Sequence, residues 1–156
     1  MTNDHFNSPQ HHSGGTPLGR KMPRVLLIED DDVMREMLAE ALRRAGCEVT
    51  ECGDGLQCLQ ACGHDTASCQ PAEHGVCDTY EVLVSDIRMP NMSGLDVLRT
   101  LREILGAEGC PPAVLITAFG DEATHERAQE LGAVTVLDKP FAVKELIETV
   151  RTVTGM

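Results

Sequence analysis

The chain has 156 residues, 42% of them hydrophobic, 3% aromatic and none Trp; this suffices for one domain with a core of Val, Leu, Ile, Ala and Met. A net charge of −12 argues against direct binding of nucleic acid or an anionic membrane through the bulk surface. No stretch is long enough to span a bilayer, the N-terminus lacks the apolar region of a secretory signal, and the seven cysteines, an odd number, suit a reducing compartment, so a cytoplasmic protein with its thiols unpaired is expected.

Residues 1–22 are polar, rich in His, Gly, Pro, Asn and Ser, and without hydrophobic period, which reads as a disordered tail ahead of a domain over 23–156. Val25-Leu26-Leu27-Ile28 is a continuous apolar run and reads as a first buried strand. Glu29, Asp30, Asp31 and Asp32 follow at once. Val33, Met34, Met37, Leu38, Ala41, Leu42 and Ala45 then recur at helical spacing until Gly46, giving a helix whose acidic first turn suits capping and the helix dipole. Glu48 to Cys52 alternates as a second strand, the turn Gly53-Asp54-Gly55 closes it, and Leu56 and Leu59 begin a second helix.

From about Gly63 to Thr79 the period is lost, and the connection is far longer than is usual in such units. Val82-Leu83-Val84 resumes with a third strand that ends in Ser85 and Asp86. A third helix from about Ser93 carries Leu95, Leu98, Leu101 and Leu105. Pro111-Pro112 stops the chain before Ala113–Ile116, a fourth strand ending in Thr117. A polar fourth helix spans Asp121 to Leu131. Val134–Leu137 is a fifth strand ending in Asp138-Lys139-Pro140, and Leu146, Ile147, Val150 and Val153 mark a last helix. Strands alternating with helices predict an α/β fold with right-handed crossovers.

In an open α/β sheet the ligands lie at the carboxyl ends of the strands. Those ends carry Glu29 and Asp30, then Asp86, then Thr117, then Lys139. Three close carboxylates repel one another unless a cation sits among them, and hard oxygen donors suit Mg²⁺ or Mn²⁺. A carboxylate beside a metal can act as a nucleophile toward phosphorus, and phosphoryl transfer needs mainly positioning and charge neutralisation. Lys139 offers charge and Thr117 a hydroxyl, so the parts suit a phosphorylated aspartate.

The pieces Leu26-Leu27-Ile28-Glu29-Asp30-Asp31, Val84-Ser85-Asp86-Ile87-Arg88-Met89-Pro90 with Ser93-Gly94, Leu115-Ile116-Thr117-Ala118, and Asp138-Lys139-Pro140-Phe141 resemble, in order, a response-regulator receiver domain of bacterial two-component signalling. The resemblance covers residues 24 to about 153. It implies a flavodoxin-like (βα)5 doubly wound parallel sheet of strand order 2-1-3-4-5. It implies Asp86 as phosphoacceptor, with Glu29, Asp30, Asp86 and the backbone carbonyl of Arg88 as metal ligands. Thr117, Ala118 and Lys139 would read the phosphoryl group, and the Lys139-Pro140 bond would be cis. Phosphate would come from a sensor histidine kinase or a histidine phosphotransfer protein. The surface of the fourth helix, fifth strand and fifth helix, with Glu122, His125, Glu126, Gln129 and Glu130, would then change toward a protein target or a phosphorylation-dependent homodimer. Such a protein is a regulator and not an enzyme. No output domain follows in this sequence, which leaves a stand-alone regulator, a relay station, or a piece of a larger protein.

Four features depart from the family pattern. Glu29 stands where Asp is commoner. Val136 stands where a Tyr or Phe often rotates with the switch, so the signal passes through Thr117 and the backbone, or Val136 is an ordinary strand residue. Arg88 and Phe119 occupy positions that resemble those tuning acyl-phosphate lifetime, and neither offers a carboxylate or amide to orient water; a long-lived phosphoryl group is expected. The connection carrying Cys58, Cys62, His64, Cys69, His74 and Cys77 suits a metal or redox site, or a bland insertion at about 63–79; Cys47, Cys52 and Cys110 read as small core or edge residues. Two rival functions follow: a receiver scaffold answering to metal or oxidant, and a metal-dependent phosphohydrolase using Asp30-Asp31-Asp32, with Asp30 as nucleophile.

Overall fold

A computed structural model describes residues 21–62 and 80–156. The expected N-terminal tail, apart from Lys21 and Met22, and the insertion at 63–79 lie outside the described residues. In chain order the elements are β1 (Arg24–Ile28), α1 (Asp32–Arg44), β2 (Glu48–Cys52), α2 (Gly55–Ala61), β3 (Val82–Asp86), α3 (Gly94–Gly109), β4 (Ala113–Thr117), α4 (Glu122–Glu130), β5 (Thr135–Asp138) and α5 (Val143–Thr154). The strands form one parallel sheet of order β2-β1-β3-β4-β5, the flavodoxin-like arrangement.

Successive residues of a strand point to opposite faces. Leu26, Ile28, Leu83, Ala113 and Leu115 therefore share one face, where they pack on Leu59 of α2, Val97, Leu98 and Leu101 of α3, and Ala128 of α4. Val25, Leu27, Val82, Val84, Val114, Ile116 and Leu137 share the other, against Leu38 and Leu42 of α1 and Leu146 and Val150 of α5. Both faces of the central strands are covered, which is why those strands read as unbroken apolar runs.

Four of the five helix starts have a side-chain cap, α5 being the exception. Asp31, Asp54, Ser93 and Asp121 cap α1, α2, α3 and α4 through side-chain oxygens that accept from backbone N–H groups three residues on. In α3 the cap is reciprocal, because Asp96 reaches back to the N–H of Ser93. Within α3, Gly106 has φ 75° and ψ 169°, so regular helix stops there and Leu105 is the last of the predicted leucine stripe.

One expectation shifts in detail. The fifth strand is Thr135–Asp138, one residue later than the apolar run Val134–Leu137, and Val134 is exposed. At a sheet edge no neighbouring strand covers such a residue, so hydrophobicity alone misplaces the boundary. Cys58 and Cys62, the first part of the predicted metal or redox set, are both buried in the core on the α2 and α3 face. His64, Cys69, His74 and Cys77 lie outside the described residues. Cys47, Cys52 and Cys110 are buried.

Candidate functional site

The alternation that builds the core also aims the site. Glu29, Asp86 and Lys139 lie two residues beyond Leu27, Val84 and Leu137, and so continue one row of side chains at the carboxyl edge of the sheet. Parallel register aligns Ile28 with Ser85 and Asp86 with Ile116, which brings Glu29 beside Asp86 at the centre of the sheet. The backbone holds this edge past the strands: the N–H of Glu29 donates to Cys52 (3.1 Å) and that of Lys139 to Thr117 (2.7 Å). The Lys139-Pro140 peptide is cis.

Asp86 is 5% exposed. Its Oδ1 accepts from the backbone N–H of Arg88 at 2.9 Å, and its Oδ2 accepts from Lys139 Nζ at 2.5 Å. The loop that turns away from it needs Gly94, since a Cβ there would stand 2.3 Å from the carbonyl oxygen of Asp86. Ser85 donates its hydroxyl to that same carbonyl at 2.9 Å.

Glu29 is 2% exposed. Oε1 accepts from the N–H of Asp31 at 3.2 Å, while Oε2 is buried without a hydrogen-bond partner and 3.6 Å from Lys139 Nζ. Burial, and then the charge of Asp86, push the Glu29 carboxyl up from 4.5 to about 7. Burial opposes the charge of Lys139, but the hydrogen bond and charge of Asp86, with Glu29 behind it, outweigh that and hold its ammonium above the usual range.

Of the four acids after β1, only two join the site. Asp31 is spent on capping α1, with the N–H of Met34 at 2.8 Å. Asp32 is exposed and binds Arg35 at 2.6 Å. Glu29, Asp30 and Asp86 each offer a carboxylate oxygen, all within 4.8 Å of one another, and this is the single such cluster among the described residues. Three carboxylates of which one has an orphaned buried oxygen fit a hard divalent cation, Mg²⁺ or Mn²⁺. The role of the Arg88 carbonyl rests on the resemblance.

Thr117 is fully buried at the end of β4, and its Oγ1 accepts from the N–H of Phe119 at 3.1 Å. Ala118, next in the chain, is exposed. Val136 is half-buried and packs on the α2–α4 face, as an ordinary strand residue does. Sequence reasoning missed how the loop after β4 is held. The Arg88 guanidinium lies 4.2 Å from the centroid of the Phe119 ring, and His125 Nε2 lies 3.0 Å from Asp138 Oδ1. Both pairs join residues of different elements, and no spacing along the chain signals them.

The chain matches the response regulator receiver domain model over residues 25–151. Among curated proteins it is 33% identical over 144 residues to the transcriptional activator protein PfeR of Pseudomonas aeruginosa, covering 92% of this chain and 40% of that protein. It is 38% identical over 128 residues to the C4-dicarboxylate transport transcriptional regulatory protein DctD of the same organism, covering 82% and 24%. The chain thus spans less than half the length of these two relatives. Among solved structures, the Vibrio cholerae chemotaxis protein CheY4 aligns with TM-score 0.69 at 25% identity, over 85% of this chain and 98% of that one. A receiver domain protein from Clostridium thermocellum aligns with TM-score 0.71 over 86% and 95%, and at 22% identity shows the shared fold alone. With the five-stranded order, the carboxylate cluster and these matches together, the chain belongs to the response-regulator receiver domain family.

Proposed function

We propose that this receiver domain is a phosphorylation-activated signalling switch with Asp86 as the phosphoacceptor. The observation that carries the reading is the state of Asp86: one carboxylate oxygen fixed by the Arg88 N–H, the other against Lys139, and Glu29 and Asp30 alongside. In the reaction, an Asp86 oxygen attacks the phosphorus of a phosphohistidine. The O–P bond forms, the N–P bond breaks, and the electron pair returns to the donor imidazole. Lys139 then holds a phosphoryl oxygen as it holds Oδ2 here. The Thr117 hydroxyl, which now accepts from Phe119, is free to donate to another oxygen because a hydroxyl does both. Glu29, Asp30 and Asp86 would hold Mg²⁺, which supplies positive charge against the phosphoryl oxygens when bound.

The donor is a sensor histidine kinase or a histidine phosphotransfer protein, the receiver of the signal an unidentified protein target, and the setting the cytoplasm. Among the described residues no helix is long and apolar enough to cross a membrane. The chain acts as a regulator with only self-phosphorylation and slow autodephosphorylation. The phosphohydrolase reading loses support because Asp32 turns outward to Arg35. The metal or redox scaffold reading stays the alternative: Cys58 and Cys62 are buried on the α2 and α3 face, and His64, Cys69, His74 and Cys77 lie outside the described residues.

Incubation with a small acyl-phosphate donor and Mg²⁺, read by intact mass, tests the proposal. One phosphoryl group should add to the wild type and none to Asp86→Asn or in the presence of chelator. No added mass on the wild type, with beryllofluoride also failing to bind, sinks it. The stacked pair Arg88 and Phe119 offers no water-orienting carboxylate or amide, so the acyl phosphate should persist for minutes in a mass time course; loss within seconds contradicts that expectation.

A further inference from the structure

The loop between Thr117 and α4 carries the residues nearest the switch hydroxyl, and it is gripped from two sides. On one side the guanidinium of Arg88 stacks over Phe119. On the other, the side chain of His125 leans back toward the N-terminal end of α4, as helix side chains do, and Nε2 meets Asp138 Oδ1 at 3.0 Å. A carboxylate only accepts, so the imidazole nitrogen donates. Gly120 passes directly beneath this pair. A Cβ on it would stand 1.6 Å from Asp138 Oδ1 and 2.7 Å from His125 Nε2. Gly120 is needed here for space and not for a left-handed backbone, since it is not among the residues of positive φ.

The loop is thereby tied to the end of β5 in the same position in which Phe119 N–H occupies the Thr117 hydroxyl. Any approach of the loop to a phosphoryl group on Asp86 must move Gly120 against, or away from, the bond that spans it. We infer that the His125–Asp138 pair is a latch that holds the β4–α4 loop in its resting position and so sets how readily Asp86 activates. His125 and Asp138 are positioning residues: neither is among the groups that contact Asp86. Other charged groups near the latch are Asp121, held ionised by its hydrogen bond to Thr124 with Arg88 and His125 adding to it, and Glu122 and Glu126 on α4.

This inference rests on the phospho-switch reading, and the test separates the two. Binding of beryllofluoride with Mg²⁺ is titrated on the full chain, together with the thermal unfolding midpoint. His125→Ala and Asp138→Ala should each tighten half-saturation by about two- to fivefold, the range that loss of one hydrogen bond sets. The double variant should tighten it no further than either single one, because both remove the same bond. His125→Gln, which keeps a donor, should return toward the wild-type value. A merely structural pair would lower the unfolding midpoint and leave the titration unchanged. Unchanged or weaker binding in the single variants, or a double variant equal to the product of the two, overturns the latch while the switch reading stands. No binding by the wild type overturns both.

Discussion

Glu29 carries the sharpest consequence of single-residue placement. Burial, and then the charge of Asp86, push its carboxyl up to about 7 from the ordinary 4.5. A group whose folded value is raised stabilises the fold when protonated. Its contribution is complete below the unfolded value and lost as pH rises through the folded one. The metal-free protein should therefore lose on the order of 1–3 kcal/mol between about pH 4.5 and about pH 8 from this group. Urea titrations in chelator should record that fall, and Glu29→Gln should flatten it. Mg²⁺ should restore stability, and most at the basic end, since the cation binds the ionised cluster. A wild-type profile as flat as that of Glu29→Gln would contradict the assignment. That Glu29 and Asp86 are acids near a strand end was plain from the sequence. That one Glu29 oxygen lacks a partner was not, since it depends on Asp31 donating to the other.

At the scale of elements, α3 and α4 differ in how they are tied down. α3 opens with a reciprocal cap and buries Val97, Leu98 and Leu101. α4 also has a side-chain cap, from Asp121, but Ala128 is its single buried residue. A helix held by one small side chain has little apolar burial opposing local opening. Amide exchange should thus be faster across Glu122–Glu130 than across the regular part of α3, residues 94–105. Beryllofluoride binding should narrow the gap if α4 responds to the switch. Equal protection in the two helices would refute this ranking. The contrast was half legible beforehand: the polar composition of 122–130 is visible in the sequence, whereas Val136 and Ala133, which pack beside it, belong to later segments.

For the molecule as a whole, the doubly covered sheet decides where substitutions matter. Leu83 is fully buried in the central β3, so Leu83→Ala should cost about 2–5 kcal/mol. Val134 is 53% exposed beside the edge strand, so Val134→Ala should stay within about 0.5 kcal/mol. Chemical denaturation with a common slope distinguishes the two; a large loss at Val134 would mean that this edge is covered in solution. The sequence by itself determined the five strands, their helices, and the acids, hydroxyl and ammonium at the strand ends, because buried parallel strands are written as apolar runs and turns as Gly, Pro and Asp. It also assigned Asp86, Thr117 and Lys139 to one cleft, given the strand order the resemblance implied. With the resemblance it also singled out Glu29 and Asp30 from the four acids after β1; only the tertiary structure decided that Asp31 caps α1 and Asp32 pairs with Arg35, because that depends on where the first turn of α1 begins. It alone paired Arg88 with Phe119 and His125 with Asp138. Such contacts follow from strand register and helix placement, which are settled by burial summed over the whole chain and leave no periodic mark on the residues that make them.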